Sequence, residues 1–281
     1  MKFGVTLFPT AYSIGPAAAA VAAENAGLES LWFPEHTHMP TNTKWPLGGD
    51  VVPRDYRSTL DPFVAFAAAA SVTKTIKFGT GICLVPQRDP IVLAKEVASL
   101  DVISNGRVIL GVGAGWNAPE TSNHGVDFAS RFKVMRERLE AMQAIWSEDE
   151  AEYHGETVDF GPLWSWPKPI QKPHPPIVFG SGTLPRNFDR ILAFGAGWMP
   201  VAATLSFDDL ASGIAELARR AEQQGKPKPE ITLFGVPTDP DGIRKYEGIG
   251  VDRAVWGLTT DGAEPALRLI EQYAKAISAY R

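Results

Sequence analysis

The chain has 281 residues, and 27 Lys+Arg against 32 Asp+Glu leave a formal charge of −5, with 44% hydrophobic and 21% charged residues. That balance excludes a disordered chain and, with no basic run, makes a poor nucleic-acid binder. The one cysteine, Cys83, excludes an intrachain disulfide framework and a cysteine-rich zinc site and fits a reducing, cytoplasmic compartment; no run of about 18 apolar residues is present to span a membrane, and the opening MKFGVTLFPT is not laid out as a secretory signal.

Short runs rich in Val, Ile and Phe alternate along the chain with longer segments of helical spacing. Phe3–Phe8 predicts a first strand, followed by a helix over Ala17–Ala26 that stops at Gly27. Ser30–Pro34 is the second strand, followed by a long polar loop from His36 to Thr59; a loop of that length inside a compact domain tends to be functional. Asp61-Pro62 and Asp89-Pro90 each pair a capping carboxylate with a first-turn proline, so helices are predicted to start there and run to Val72 and Ile103. Ile76–Val85 and Arg107–Gly113 are the third and fourth strands, with a turn at Asn105-Gly106 between them. Ser130–Trp146 is an amphipathic helix with Phe132, Met135, Leu139 and Met142 on one face.

At about 150–176 the rhythm breaks into a hairpin turning at His154-Gly155 and a proline-rich stretch, PLWSWPKPIQKPHPP, read as an extended wrap rather than a linker. Strands then follow at Ile177–Phe179, Trp198–Ala203, Ile231–Val236 and Ala254–Leu258, with helices at Pro185–Phe194, Phe207–Gln224, Asp241–Gly248 and Glu264–Ala279. Eight strand–helix units with no break in composition predict a single domain over 1–281, a closed (β/α)8 barrel of the TIM type, which needs about 250 residues. A pair of Rossmann-like halves is disfavoured because the first turn, FPTAYSIGP, has no G-x-G-x-x-G.

In such barrels the site lies at the carboxyl ends of the strands, which gathers Glu35-His36-Thr37-His38, Gly79–Ile82, Gly111–Asn117 and Gly180–Thr183 on one face. A His-x-His pair allows a metal reading, but none of the five histidines falls in or just after strands five to eight, where three or four ligands would have to be completed. His36 then reads as a neutral imidazole against a cofactor or substrate, or as a loop residue. Gly113, Gly115, Trp116 and Asn117 form a glycine-rich turn that lets a ligand approach the backbone. Gly180, Ser181, Gly182 and Thr183 precede a helix, a layout that suits an anion such as phosphate. Gly81 marks a bulge or a close approach inside the third strand, and Cys83 reads as a small buried residue. Trp32, Phe33, Trp45, Trp116, Trp164 and Trp166 are candidates to wall an apolar pocket.

The blocks GLESLWFPEHT, GTGICLVPQRDPIVLAKEVASLDVISNGRVILGVGAGWN and PPIVFGSG together resemble the luciferase-like monooxygenase superfamily, in its deazaflavin (coenzyme F420)-dependent branch. The resemblance implies a luciferase-like barrel holding coenzyme F420, or alternatively FMN. It places the ring against a strained bulge at Gly81-Ile82, Glu35 and His36 beside the reactive edge, Gly113, Gly115, Trp116 and Asn117 beside the cofactor tail, and Gly180, Ser181, Gly182 and Thr183 at the phosphate. His36 is then the catalytic residue, and His38, Trp45 and Trp116 bound the substrate pocket. Hydride transfer to or from a small, largely apolar substrate is the activity implied; an FMN monooxygenase served by a reductase partner, and a flavin-binding barrel without turnover, are the alternatives. The short GVPTDPDG turn leaves the pocket open or closed by the Met39–Tyr56 loop, Lys44, Arg54 and Arg57 are candidates to meet an acidic cofactor tail, and relatives of this kind imply a homodimer.

Overall fold

The computed structural model describes residues 1–46, 51–195 and 197–281. Along the chain β1 (Lys2–Thr6), α1 (Pro16–Asn25) and β2 (Ser30–Phe33) are followed by α2 (Arg54–Ser58), α3 (Pro62–Ala70), β3 (Lys77–Thr80) and β4 (Cys83–Leu84). Next come α4 (Pro90–Ile103), β5 (Val108–Gly113), α5 (Ala118–Asn123), α6 (Arg131–Ser147) and a hairpin of β6 (Ala151–His154) with β7 (Asp159–Leu163). The chain ends with β8 (Ile177–Phe179), α7 (Pro185–Phe194), β9 (Gly197–Trp198), α8 (Phe207–Gln223), β10 (Glu230–Phe234), α9 (Pro240–Gly248), β11 (Arg253–Gly257) and α10 (Ala263–Tyr280). The predicted caps form: Asp61 accepts from the amides of Phe63 and Val64, and Asp89 from those of Ile91 and Val92, at 2.9–3.0 Å. Among the described residues no helix is long and apolar enough to cross a membrane.

Parallel pairing runs β1–β2–β3–β5–β8–β9–β10–β11 and returns to β1 through Phe3↔Ala254 and Val5↔Trp256. This closes an eight-stranded barrel of the predicted (β/α)8 class. Two strand expectations are corrected. The third strand is two pieces: its pairing with β2 ends at Thr80, and past the cis peptide Gly81-Ile82 the chain continues along β5 as Cys83↔Val112. The strand expected at Trp198–Ala203 stops at Trp198: Pro200 has no amide to extend a ladder, and Ala202–Thr204 forms a 3₁₀ turn. The stretch His36–Thr59, expected as loop, contains α2, and α5 lies in a stretch to which the strand–helix periodicity assigns no element.

The amino-terminal end of the barrel is plugged by charge. Arg253, 1% exposed, donates from Nε to Glu29 at 2.8 Å and from a terminal nitrogen to Thr232 at 2.8 Å, and it is paired with Glu230. Its guanidinium lies 5.7 Å from the Trp32 ring, above which Ile109, Val178, Met199 and Val255 fill the barrel. These layers close the barrel below and leave its carboxyl end to form a bowl.

The close approach of β3 to β5 depends on Gly111. A methyl there would collide with the Thr80 carbonyl oxygen, a backbone atom that cannot rotate away, and come within 2.9 Å of Met199. Gly111→Ala should therefore cost about 3 kcal/mol or more in chemical denaturation, whereas Gly182→Ala, where a methyl meets nothing within 4 Å, should leave the midpoint unchanged.

The wrap that follows the hairpin is tied to the outside of the barrel. Lys168 Nζ donates to the Ile145 carbonyl at 2.6 Å, and Gln171 donates to Asp101 from its backbone at 3.0 Å and its side chain at 2.7 Å. Trp164 and Trp166 are 75% and 59% exposed there, so neither walls an interior pocket.

Candidate active site

The bowl at the carboxyl ends of the strands encloses a cavity of about 440 Å³. Glu35 and His36 enter it from the end of β2, Gly81 and Ile82 from the break before β4, Trp116 from beyond β5, and Gly180 and Ser181 from beyond β8. Thr6, Tyr56, Met199 and Phe234, none of them singled out in the sequence, complete much of the wall. Among the described residues the lining carries, apart from Glu35 and His36, no ionisable group but the Tyr56 phenol, which burial raises above its ordinary value.

His36 Nδ1 lies 3.0 Å from both carboxylate oxygens of Glu120, and the two side chains are 6% and 1% exposed. A carboxylate only accepts, so the hydrogen sits on Nδ1 and Nε2 is the ring nitrogen left free. Trp116 and Tyr56 hold the ring at centroid distances of 5.8 and 5.2 Å. Glu120 comes from α5, whose cap is Asn117, its Oδ1 reaching the Glu120 amide at 3.5 Å. The signal for it in the sequence is Asn-Ala-Pro-Glu, a capping residue with Glu three positions on. Asn117 also donates to Thr43 at 3.1 Å, which fastens the start of the loop expected to cover the mouth; residues 47–50 of that loop, Met39–Tyr56, lie outside the described residues.

The other sequence candidates divide. Glu35 reaches the cavity, but its oxygens accept from the Leu84 amide at 2.6 Å and from Arg88 Nε at 2.5 Å. Burial alone would lower the Arg88 guanidinium, and Glu35 outweighs it and holds the value up. Cys83 is fully buried, and burial, aided by Glu35, pushes its thiol up. His38 turns away from the bowl: Asn123 donates to its Nε2 at 2.9 Å, and Thr37 bridges it to His124. Trp45 packs on Trp116 and Tyr56 behind the wall. Among the described residues no group of three His, Cys, Asp or Glu is placed to hold a metal ion.

The glycine-rich turns do something the sequence does not reveal. A methyl at Gly113 would overlap Ile82, and one at Gly180 would come within 2.6 Å of Ile82 Cγ2. Both glycines thus make room for the side chain that floors the bowl. Gly115, with φ +80°, turns its carbonyl to accept from Arg131 Nε at 3.2 Å. Gly182 is held through its carbonyl by Asn187 at 3.0 Å, and Thr183 packs its methyl toward Gly213 of α8.

Ser181 Oγ is buried and has no hydrogen-bond partner among the described residues, although buried hydroxyls are normally paired. A narrow crevice leads from Gly180 and Ser181 to Asn187 and Arg190. Arg190 and Arg131 flank the Phe132 ring at 4.3 and 4.6 Å. Burial lowers both guanidiniums, and the like charge of Arg186 lowers them further. Among the described residues none of these three arginines makes a salt bridge, and Arg54, expected at a cofactor tail, stacks on Tyr12 instead. The orphaned hydroxyl, the Arg131 and Arg190 guanidiniums beside Phe132 without a salt-bridge partner among the described residues, and an apolar bowl fit a planar ring carrying a phosphate.

The chain is thus a closed (β/α)8 barrel with an apolar bowl at its carboxyl face. The chain belongs to the luciferase-like monooxygenase family, whose model matches residues 11–237. It is 38% identical to an uncharacterised protein of Mycobacterium tuberculosis over 282 aligned residues, 99% of each chain. Among solved structures, monooxygenase RslO1 from Streptomyces bottropensis matches with a TM-score of 0.81 at 22% identity, covering 100% of both chains. An F420-dependent secondary alcohol dehydrogenase, in complex with an F420-acetone adduct, matches with 0.75 at 19% identity over 100% of both chains.

Proposed function

We propose that the protein is an oxidoreductase dependent on the deazaflavin coenzyme F420 that moves a hydride to or from a small, largely apolar organic substrate. The observation that carries this reading is the His36–Glu120 pair opening onto an apolar bowl. Hydride transfer to a carbonyl carbon has to be matched by a proton at oxygen, and an imidazole oriented by a carboxylate is built for that exchange. The bound deazaflavin supplies the hydride chemistry. The chain does the rest: Gly81 and Ile82 floor the ring site, Met199 and Phe234 exclude water, Ser181 and the Arg131–Arg190 pair hold phosphate, and His36 Nε2 moves the proton. The likeness in fold to an F420-dependent alcohol dehydrogenase supports the cofactor, while that to a monooxygenase supports a second reading, reduced FMN with oxygen and a partner reductase.

Fluorescence-quenching titrations with coenzyme F420 and with FMN separate the two. The deazaflavin should bind more tightly, and Arg190→Ala should weaken it about tenfold, the loss of one charge-assisted contact to phosphate. A micromolar preference for FMN would put the second reading in place of the first, and cofactor binding without any substrate-dependent oxidation or reduction would leave a barrel that binds flavin without turnover.

A further inference from the structure

We propose that a second cavity, opening off the β1–β10–β11 side of the bowl, is the substrate chamber and that it admits a compact, uncharged carbonyl compound or the corresponding alcohol. This rests on the hydride-transfer reading above. The chamber measures about 480 Å³ and shares Thr6, Val201 and Phe234 with the bowl, so the two spaces adjoin across that wall. Beyond that shared wall it is bounded by Ala202, Val255 and Gly257, among other small residues. Among the described residues no ionisable side chain lines it, and the Thr6 hydroxyl is its one polar side chain.

Strand alternation explains why the space exists. Residues two apart share a face, so Gly257 points the way Val255 does, and Val255 packs in the barrel interior beside Trp32 and Met199. A methyl at Gly257 would meet nothing within 4 Å, so an inward position of β11 ends in open space. Charge is distributed unevenly round the bowl. The arginines without a salt-bridge partner stand on the β5–β8 side, on α6 and α7, whereas the chamber, exposed to solvent at Val201, Ala203, Gly235 and Gly257, offers among the described residues no counter-charge to hold a carboxylate or phosphate. The step balances with one proton from water: a hydride passes from the reduced deazaflavin, which is thereby oxidised, to the carbonyl carbon, the carbonyl π pair moves to oxygen, and the His36 ring, having taken a second proton from water at Nε2 to become an imidazolium beside Glu120, delivers that proton to the oxygen, leaving the alcohol and the neutral ring with its hydrogen on Nδ1. The reverse direction uses the same groups.

The test uses Gly257→Phe, with Ala202→Leu as a second way of filling the chamber, and cyclohexanone, cyclohexanol and the carboxylate pyruvate as probes. Saturation-transfer NMR on cofactor-free protein should show cyclohexanol bound by the parent and lost in either variant, while F420 affinity by fluorescence quenching stays within about twofold. With cofactor, KM for cyclohexanone should rise about tenfold or more. Loss of F420 binding in both variants would assign the space to the cofactor and overturn the proposal, as would cyclohexanol bound equally by parent and variants, or pyruvate used as well as cyclohexanone. A parent that binds cyclohexanol in the chamber but not F420 would instead remove the hydride-transfer reading and leave the chamber standing.

Discussion

His36→Ala should lower turnover by about 10²–10⁴-fold, the usual weight of a positioned general acid or base, while F420 affinity changes by no more than a few-fold. The two effects separate because the groups that fit phosphate, Ser181 and the α6 and α7 arginines, stand on the β5–β8 side and do not touch the histidine. Glu120→Gln is the sharper variant. Its amide keeps the volume of a side chain that is 1% exposed, so packing is preserved. The negative charge that stabilises an imidazolium is lost, and the amide nitrogen can face Nδ1 and favour the wrong tautomer. Turnover should fall with KM little changed, because Glu120 is not part of the cavity lining and acts through the ring. Steady-state assays of cofactor absorbance read both parameters; His36→Ala with parental turnover would remove the proton-transfer role.

The parts of this site legible in sequence are those set by local chemistry. Asp-Pro pairs start α3 and α4 because cap and proline act within one turn, and Asn105 and Gly106 take positive φ at the turn that pattern marks. Strand alternation with helices is enough to bring His36, Gly81, Trp116 and Ser181 to one bowl, since barrel closure follows from the unit count rather than from any residue. Pairings across the barrel are not legible. Glu120 reaches His36 only after two further strands have closed, and Arg131 meets Arg190 only because α6 and α7 are brought together round Phe132. Glycine is ambiguous in kind: Gly113 and Gly180 read in sequence as approaches for a ligand, and the structure shows Ile82 in the space they leave. Tryptophan is ambiguous in the same way. Trp32 is fully buried in the barrel, Trp164 and Trp166 lie outside it, and Trp116 alone of the tryptophans lines the described bowl.

The largest stability effect is expected at the opposite end, where Arg253→Met should cost about 3–5 kcal/mol, the usual result of stranding buried charges by removing one partner. The guanidinium is the shared partner of Glu29 and Glu230, which Lys77 and Lys2 respectively reach only from more exposed positions. Neutralising all three positions at once removes the charges together, so Arg253→Met/Glu29→Gln/Glu230→Gln should recover much of the loss. The pH dependence has a definite sign. Burial by itself would raise the Glu29 carboxyl, but the hydrogen bonds and charge of Arg253 outweigh it and bring the value from 4.5 down to about 2; Glu230 is lowered in the same manner. A depressed carboxylate contributes stability that is complete above its unfolded value and fades as pH falls toward the folded one. The parent should therefore lose this contribution between about pH 4.5 and about pH 2, while Arg253→Met keeps only the more exposed pairs of Glu29 with Lys77 and Glu230 with Lys2 to lose over that interval. Urea midpoints measured in steps from neutral pH downward should show the gap between the two proteins closing; a gap that stays constant would mean that the plug stabilises the barrel by packing around the guanidinium rather than by its charge.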